Sequence, residues 1–279
     1  MKVYLYAKSG HTVGLEATKR CAAIANLLKD FDPVLCTSDF RAGAFAKDNL
    51  NVKKYVNIDV VRNLHNIMQR RDILIFDTSE ANEEMKKDMK EFCTLLYNLN
   101  ENPNDIIVDT NLYTKNDTPT IEKTIFFGDD DYYNIFLEMS KRIEKKEINL
   151  LMGHYFFLGN EKIFSNHFSN IIDEEEYVDT ICNTKYLLTG SLQSALESLS
   201  CGNFPVLIKR EDKEYNIELI EQLNLPVIEE TNLDTILNKF DEIINDYPLI
   251  SNFNIKDFDY IAKQIKDKID LFSKLTDIQ

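Results

Sequence analysis

Four short stretches of this 279-residue chain bring together groups that could do chemistry. The loop Lys8–Gly14 (KSGHTVG), with Glu16 just beyond it, sets an imidazole, His11, and a carboxylate beside glycine. Asp77 ends the apolar run ILIFD. Gly153-His154 follows a second apolar run, and Thr189-Gly190-Ser191 leads into Leu192, Gln193 and Glu197. His11, Glu16 and Asp77 are the candidate proton acceptors, since a positioned imidazole or a desolvated carboxylate can serve as a general base. Gly190 and Ser191 suit anion binding. Glycine permits a tight turn, Ser191 is a natural N-cap, and the next backbone N–H groups point at whatever sits beyond the strand end. His154 can donate to a phosphate from its own strand end.

Each group also has an ordinary explanation. His11 reads equally as an exposed loop histidine, and Glu16 as a first-turn carboxylate favoured by the helix dipole. Asp77 can cap the helix that begins near Glu80. His154 can pack as a partly buried loop residue beside Tyr155. The aspartates Asp129, Asp130 and Asp131 open a helix read as running to Lys146; carboxylates suit its start and lysines its end, so a metal is not needed to explain them.

The elements that must hold these groups follow a strand–helix alternation. Met1–Ala7 is the first buried strand, and a helix from about Leu15 buries Ala17, Cys21, Ile24 and Leu28. Short strands are expected at Pro33–Cys36 and Tyr55–Ile58, a polar loop at Asp39–Lys47, and the cleanest buried strand at Asp72–Asp77. Glu80–Asn98 reads as a charged helix, with strands at Asn104–Asn111 and Thr124–Gly128. The pattern restarts at Ile148–Leu151. Strand Tyr186–Leu188, helix, and strand Phe204–Ile208 follow, then helices near Ile217–Leu223, Leu233–Ile244 and Asp257–Leu275. The expected architecture is α/β, with two Rossmann-like domains, 1–146 and 147–279, facing each other across a cleft and hinged at Lys145–Asn149.

The totals narrow the function. A formal charge of −15 argues against a general nucleic-acid or anionic-membrane binder, so a phosphate site must work locally. No run is long enough to span a membrane, and no leader is expected before the first strand. The five cysteines are scattered, without a CxxC pair, and read as reduced thiols of a cytoplasmic protein. No P-loop, zinc spacing or Ser-His-Asp order occurs, and neither metal nor other cofactor is expected.

Several stretches, taken in order, resemble the UDP-sugar hydrolases of pseudaminic acid biosynthesis, short members of the GT-B superfamily. These are the first strand with Gly14 and the Lys19-Arg20 helix, ILIFD, IIVDTNLYTKND, and GSLQSALESLSCGNFPVLIKRED. The resemblance covers nearly the whole chain. It implies a nucleotide-sugar partner, most simply UDP-linked. Backbone around Ser191–Gln193 would meet the diphosphate, Glu197 the ribose, and Gly14, Asp77 and Asn111 the sugar. Three departures stand out. The family's Gly-x-Gly-His run reads Gly14-Leu15-Glu16-Ala17, so its presumed catalytic His is an alanine. The His-Tyr pair after the active-site Asp reads Thr78-Ser79, and the second-domain Gly-Gly turn reads Gly153-His154. The expected function is therefore a nucleotide-sugar hydrolase with an altered base. The alternatives are a glycosyltransferase on the same fold or an inactive binding module.

Overall fold

The run VYLYA becomes strand β1 (Val3–Ala7), every residue of it buried. Helix α1 (Glu16–Leu27) follows and lays Ala17, Cys21, Ile24 and Ala25 inward. Then come β2 (Val34–Thr37), α2 (Phe40–Asn49), β3 (Tyr55–Asn57), β4 (Ile73–Asp77), α3 (Glu83–Phe92) and β5 (Leu95–Asn98). The five strands form one parallel sheet in the order β3-β2-β1-β4-β5. Its buried face packs Tyr4, Tyr6, Leu74 and Phe76 on Val61, Leu64 and Met68. The computed structural model describes residues 1–155 and 159–276.

A second sheet is built from β6 (Ile121–Phe126), β7 (Asn149–Leu151), β8 (Asn170–Ile172), β9 (Thr184–Thr189), β10 (Phe204–Ile208) and β11 (Val227–Ile228). Its order is β11-β10-β9-β6-β7-β8, and every pairing is parallel. Counted from β6, this is the doubly wound order 3-2-1-4-5-6. Helices α4 (Ile135–Ser140), α5 (Glu161–Phe164), α6 (Tyr177–Asn183), α7 (Leu192–Ser200), α8 (Ile217–Leu223) and α9 (Leu233–Asn245) connect the strands. The core is aromatic: Phe136 stacks on Phe127 and Phe168 at 4.9 and 5.6 Å, and Phe240 is fully buried. No helix among the described residues is long and apolar enough to cross a membrane.

Two compact units result. The first comprises Met1–Ser9, Ala17–Ile107 and Ile255–Gln279; the second comprises Gly10–Glu16 and Val108–Asn254. This differs from a boundary at residue 146. Strand β6 pairs with β9 and β7, so it is the first strand of the second sheet, not the last of the first. The C-terminal helix α10 (Asp259–Thr276) belongs to the first unit. There Ile106 bridges Ile255, Tyr97 donates to Gln264, and Ile261 and Ile265 are fully buried. The expected hinge at Lys145–Asn149 lies inside the second unit, where Lys146 donates its N–H to the His167 carbonyl.

Local differences have local causes. Asp39–Lys47 is helical rather than a loop, because Asp39 caps α2 by accepting from the N–H groups of Arg41 and Ala42. The charged helix expected over Glu80–Asn98 stops at Phe92, and Leu95–Asn98 is strand β5. Asn104–Asn111 forms no ladder. It makes the single bridge at Ile106 and then turns, with Asp109 accepting from the N–H of Asn111. Helix α4 is shorter than expected and begins at Ile135.

Candidate functional site

In a doubly wound sheet the ligand crevice lies outside the carboxyl ends of the strands where the winding reverses. In the second unit those strands are β6 and β9. β6 runs into Phe127-Gly128-Asp129, and β9 into Gly190-Ser191. The two ends are drawn close: the N–H of Gly190 donates to the Phe126 carbonyl at 3.1 Å. A Cβ on Gly190 would stand 2.3 Å from the Phe127 carbonyl oxygen, so only glycine fits. Ser191 is the N-cap of α7, its Oγ accepting from the N–H of Ser194.

The acidic triplet sends its carboxylates three ways. Asp131 accepts from the N–H groups of Ile135 and Phe136 at 2.7 and 2.9 Å and so starts α4. Burial raises its pKa above the usual carboxylate range despite those hydrogen bonds. Asp129 accepts from the N–H of His154 at 3.0 Å, tying the loop after β6 to the loop after β7. Asp130 faces the crevice and pairs with two cations. Among the described residues no group of His, Cys, Asp and Glu could hold a metal ion.

Those cations come from the charged run after β10. Arg210 lies over the Phe127 ring at 4.6 Å and donates to Asp130 at 2.5 Å. It also grips Asp212 bidentately, at 2.6 and 3.0 Å. Burial opposes the guanidinium charge, but Asp212 and Asp130 outweigh it and raise the pKa above the usual arginine value. Lys213 reaches Glu16 at 2.8 Å and Asp130 at 3.0 Å. Its ammonium is likewise disfavoured by burial, then raised above the usual lysine value by those two carboxylates. Tyr215 closes the floor by donating to the carbonyls of Gly190 and Ile208. The crevice thus holds two cations against three carboxylates.

Glu16 belongs to this cluster. The segment Gly10–Glu16 counts with the second unit, contrary to its expected place in the first. Glu16 Oε1 accepts from Ser191 Oγ and from Lys213 Nζ, both at 2.8 Å. It is therefore an ion-paired carboxylate over the start of α7, not an idle base. Gly14 has φ +78°, and a Cβ there would press on Asp130 at 3.3 Å. His11 stacks on Tyr132 at 4.8 Å and meets Tyr155 edge-on at 6.1 Å. Tyr133 lies against Tyr132 and is 74% exposed. These rings form an open aromatic wall at the carboxyl end of the sheet.

Gly153 and His154 sit at the end of β7, both buried, with His154 Nδ1 3.7 Å from Glu174 and its ring edge-on to Tyr155. Leu192 is half-buried on α7. Gln193 and Glu197 are both buried on α7. Glu197 is 1% exposed and accepts from Tyr177 at 2.6 Å and from Gln193 at 3.1 Å. Burial and then the Glu197 charge push the hydroxyls of Tyr113 and Tyr177 well above the usual tyrosine range. This is a structural knot beneath α7.

Two sequence candidates lie elsewhere. Asp77, at the carboxyl end of β4 in the first unit, is buried. It accepts from Arg20 Nε at 2.7 Å and from Asn100 Nδ2 at 2.5 Å. It does not cap a helix; Asn82 caps α3. Lys8 is also engaged, in an ion pair with Glu80. Asn111 is exposed in the turn after Asp109. Asp130, Arg210, Lys213 and the tyrosines were missed as site residues. The signal for Arg210 and Lys213 was a mixed-charge run, Lys209–Glu214, at the carboxyl end of a buried strand.

The chain matches no protein-family model and no curated protein sequence. It is similar in structure to a putative UDP-N-acetylglucosamine 2-epimerase from Listeria monocytogenes. That likeness has 11% identity and a TM-score of 0.50, covering 88% of this chain and 89% of that one. It is also similar to E. coli heptosyltransferase WaaC, solved with ADP-2-deoxy-2-fluoro heptose. There the identity is 10% and the TM-score 0.44, with 87% of this chain and 99% of that one covered. Such identities speak to fold alone. With the two doubly wound sheets, the fold is α/β of the GT-B class.

Proposed function

We propose that the protein binds a nucleotide sugar at the carboxyl end of its second sheet and cleaves the bond between sugar and phosphate. The observation that carries this is the Glu16 carboxylate held by Ser191 Oγ and Lys213 at the head of α7. An anion already occupies the position where a helix N-terminus and a cation favour a phosphate. A diphosphate that displaces Glu16 gains the Ser191 hydroxyl, Lys213 and the first N–H groups of α7. The wall of Tyr132, Tyr133 and His11 offers stacking to a base or a sugar face.

Cleavage needs leaving-group stabilisation and a base. The donors at the head of α7 supply the first. Of the three sequence candidates for the second, Glu16 and Asp77 are held in ion pairs, while His11 is exposed and, among the described residues, stacks on Tyr132 and meets Tyr155. His11 is therefore the base of this proposal, and a UDP-linked sugar its simplest substrate. The ion pairing of Glu16 and Asp77 favours one alternative, a binding module without turnover. Calorimetry with UDP and UDP-sugars, followed by assay of released UDP, separates them. Binding with turnover that His11→Ala abolishes supports the hydrolase. Binding without turnover leaves the module or a transferase lacking its acceptor, and no binding of any nucleotide refutes the assignment of the crevice.

A further inference from the structure

The five cysteines are all free thiols, yet two of them meet. Cys182 sits near the end of α6 and Cys201 caps the end of α7, with their sulfurs 3.3 Å apart. A disulfide bond is about 2.05 Å long, so the sulfurs need to close by only roughly 1.3 Å. The backbone around them is well held. The Cys182 carbonyl accepts from Asn116 and Asn203 side chains, and the Cys201 carbonyl accepts from the Asn116 N–H. One asparagine thus ties both cysteines to the same segment.

We propose that Cys182 and Cys201 are a reversible thiol–disulfide pair, so that the second unit exists in a dithiol and a cross-linked form. The two thiols are differentiated for this. Cys182 is half-buried, within reach of a small oxidant, whereas Cys201 is fully buried. The Cys201 S–H donates to Cys182 Sγ, which holds the Cys182 thiol below its usual pKa. The same bond, and then burial, push Cys201 up. Cys182 is accordingly the attacking thiolate and Cys201 the resolving thiol. With hydrogen peroxide as oxidant, the Cys182 thiolate attacks one peroxide oxygen. The O–O bond breaks, water leaves after protonation, and Cys182 is oxidised to the sulfenic acid. Cys201 Sγ then attacks that sulfur, loses its proton and expels a second water. Two thiols and one peroxide give one disulfide and two waters.

The cross-link encloses everything from Asn183 to Ser200: strand β9, the Gly190-Ser191 turn and α7. Oxidation therefore closes a loop around the anion-binding turn while leaving Ser191 and Lys213 chemically untouched. The pairing itself does not depend on the proposed substrate.

The test is stoichiometric peroxide on the full chain, read by thiol titration in denaturant, intact mass and peptide mapping. Five thiols are expected to fall to three, with a mass loss of about 2 Da, a linked peptide pair containing Cys182 and Cys201, and recovery of all five with dithiothreitol. The melting temperature of the oxidised form should rise by roughly 5–10 °C, as closure of a short loop predicts. Cys182→Ser should retain its remaining four thiols under the same treatment. The proposal is overturned by an unchanged count of five, by a pair involving any other cysteine, or by addition of oxygen at Cys182 with Cys201 still free. Peptide mapping of the unaltered chain decides the matter even if the variant fails to fold. A nucleotide-binding assay plays no part in it, so failure here and failure of the proposed function are separate results.

Discussion

Glu16→Gln offers the sharpest probe of the crevice. The carboxylate is 2.8 Å from both Ser191 Oγ and Lys213 Nζ, the two donors a phosphate would use. A phosphate approaching them would stand about 5 Å from the Glu16 charge. At an effective dielectric of about 20 that repulsion is about 3 kcal/mol per unit charge. The Glu16 side chain is 22% exposed, and solvent and salt reduce the figure to about 1–2 kcal/mol. Glutamine keeps a hydrogen-bond acceptor for Ser191 and removes the charge. Lys213 keeps Asp130 at 3.0 Å, so the fold should lose less than about 1 kcal/mol. The expected outcome is UDP affinity tightened about 5- to 30-fold by calorimetry, with a greater gain at low ionic strength. Equal or weaker affinity in a variant that melts within a few degrees of the parent would refute the claim that Glu16 and phosphate share one position.

Two further outcomes follow from the same cluster. Gly190→Ala forces a Cβ to 2.3 Å from the Phe127 carbonyl, and should cost about 1–3 kcal/mol or more, seen as a lowered urea midpoint; a parental midpoint would show slack between the ends of β6 and β9. Burial alone would raise the pKa of Asp212, but hydrogen bonding and charge from Arg210 hold it below the usual carboxylate range. Its stabilising contribution is then full above about pH 4 and lost as pH falls through the lowered value, so Asp212→Asn should flatten the melting-temperature profile on the acid side, and an unchanged acid limb would count against the pairing.

The parts of this fold legible in the sequence were those with one local cause. VYLYA and ILIFD are apolar runs with nowhere to go but a buried parallel sheet, and both are central strands. Ser191 after Gly190 announced an N-cap, and it is one. What escaped had distant causes. The division between units depends on which strands pair, and both units repeat the same strand–helix rhythm. Nothing in the helix Asp259–Thr276 shows that it packs with β5 rather than with the helices just before it. Asn104–Asn111 looked like a strand because IIV is apolar, but Ile255 is its one bridge partner. The family resemblance implied a ribose contact for Glu197. Its partner Tyr177 lies on the preceding helix, which spacing along α7 cannot reveal.

The charge balance of the crevice bears on what it can select. A chain with a net charge of −15 gains no long-range attraction for a nucleotide. The local cluster adds none either, since Arg210 and Lys213 are outnumbered by Glu16, Asp130 and Asp212. Of the three carboxylates, Asp212 is held bidentately by Arg210, and Asp130 bridges Arg210 and Lys213. Of the three, Glu16 comes from the Gly10–Glu16 segment. On the proposed reading, binding of an anion exchanges one negative group for another over α7, with little change in net pairing. Such an exchange rewards a ligand that also fills the aromatic wall of Tyr132, Tyr133 and His11, and it penalises bare phosphate. The proposed site therefore predicts tighter binding of a ring-bearing phosphate ester than of inorganic phosphate, checked by calorimetry with UMP against phosphate; equal affinities would refute the role given to the aromatic wall.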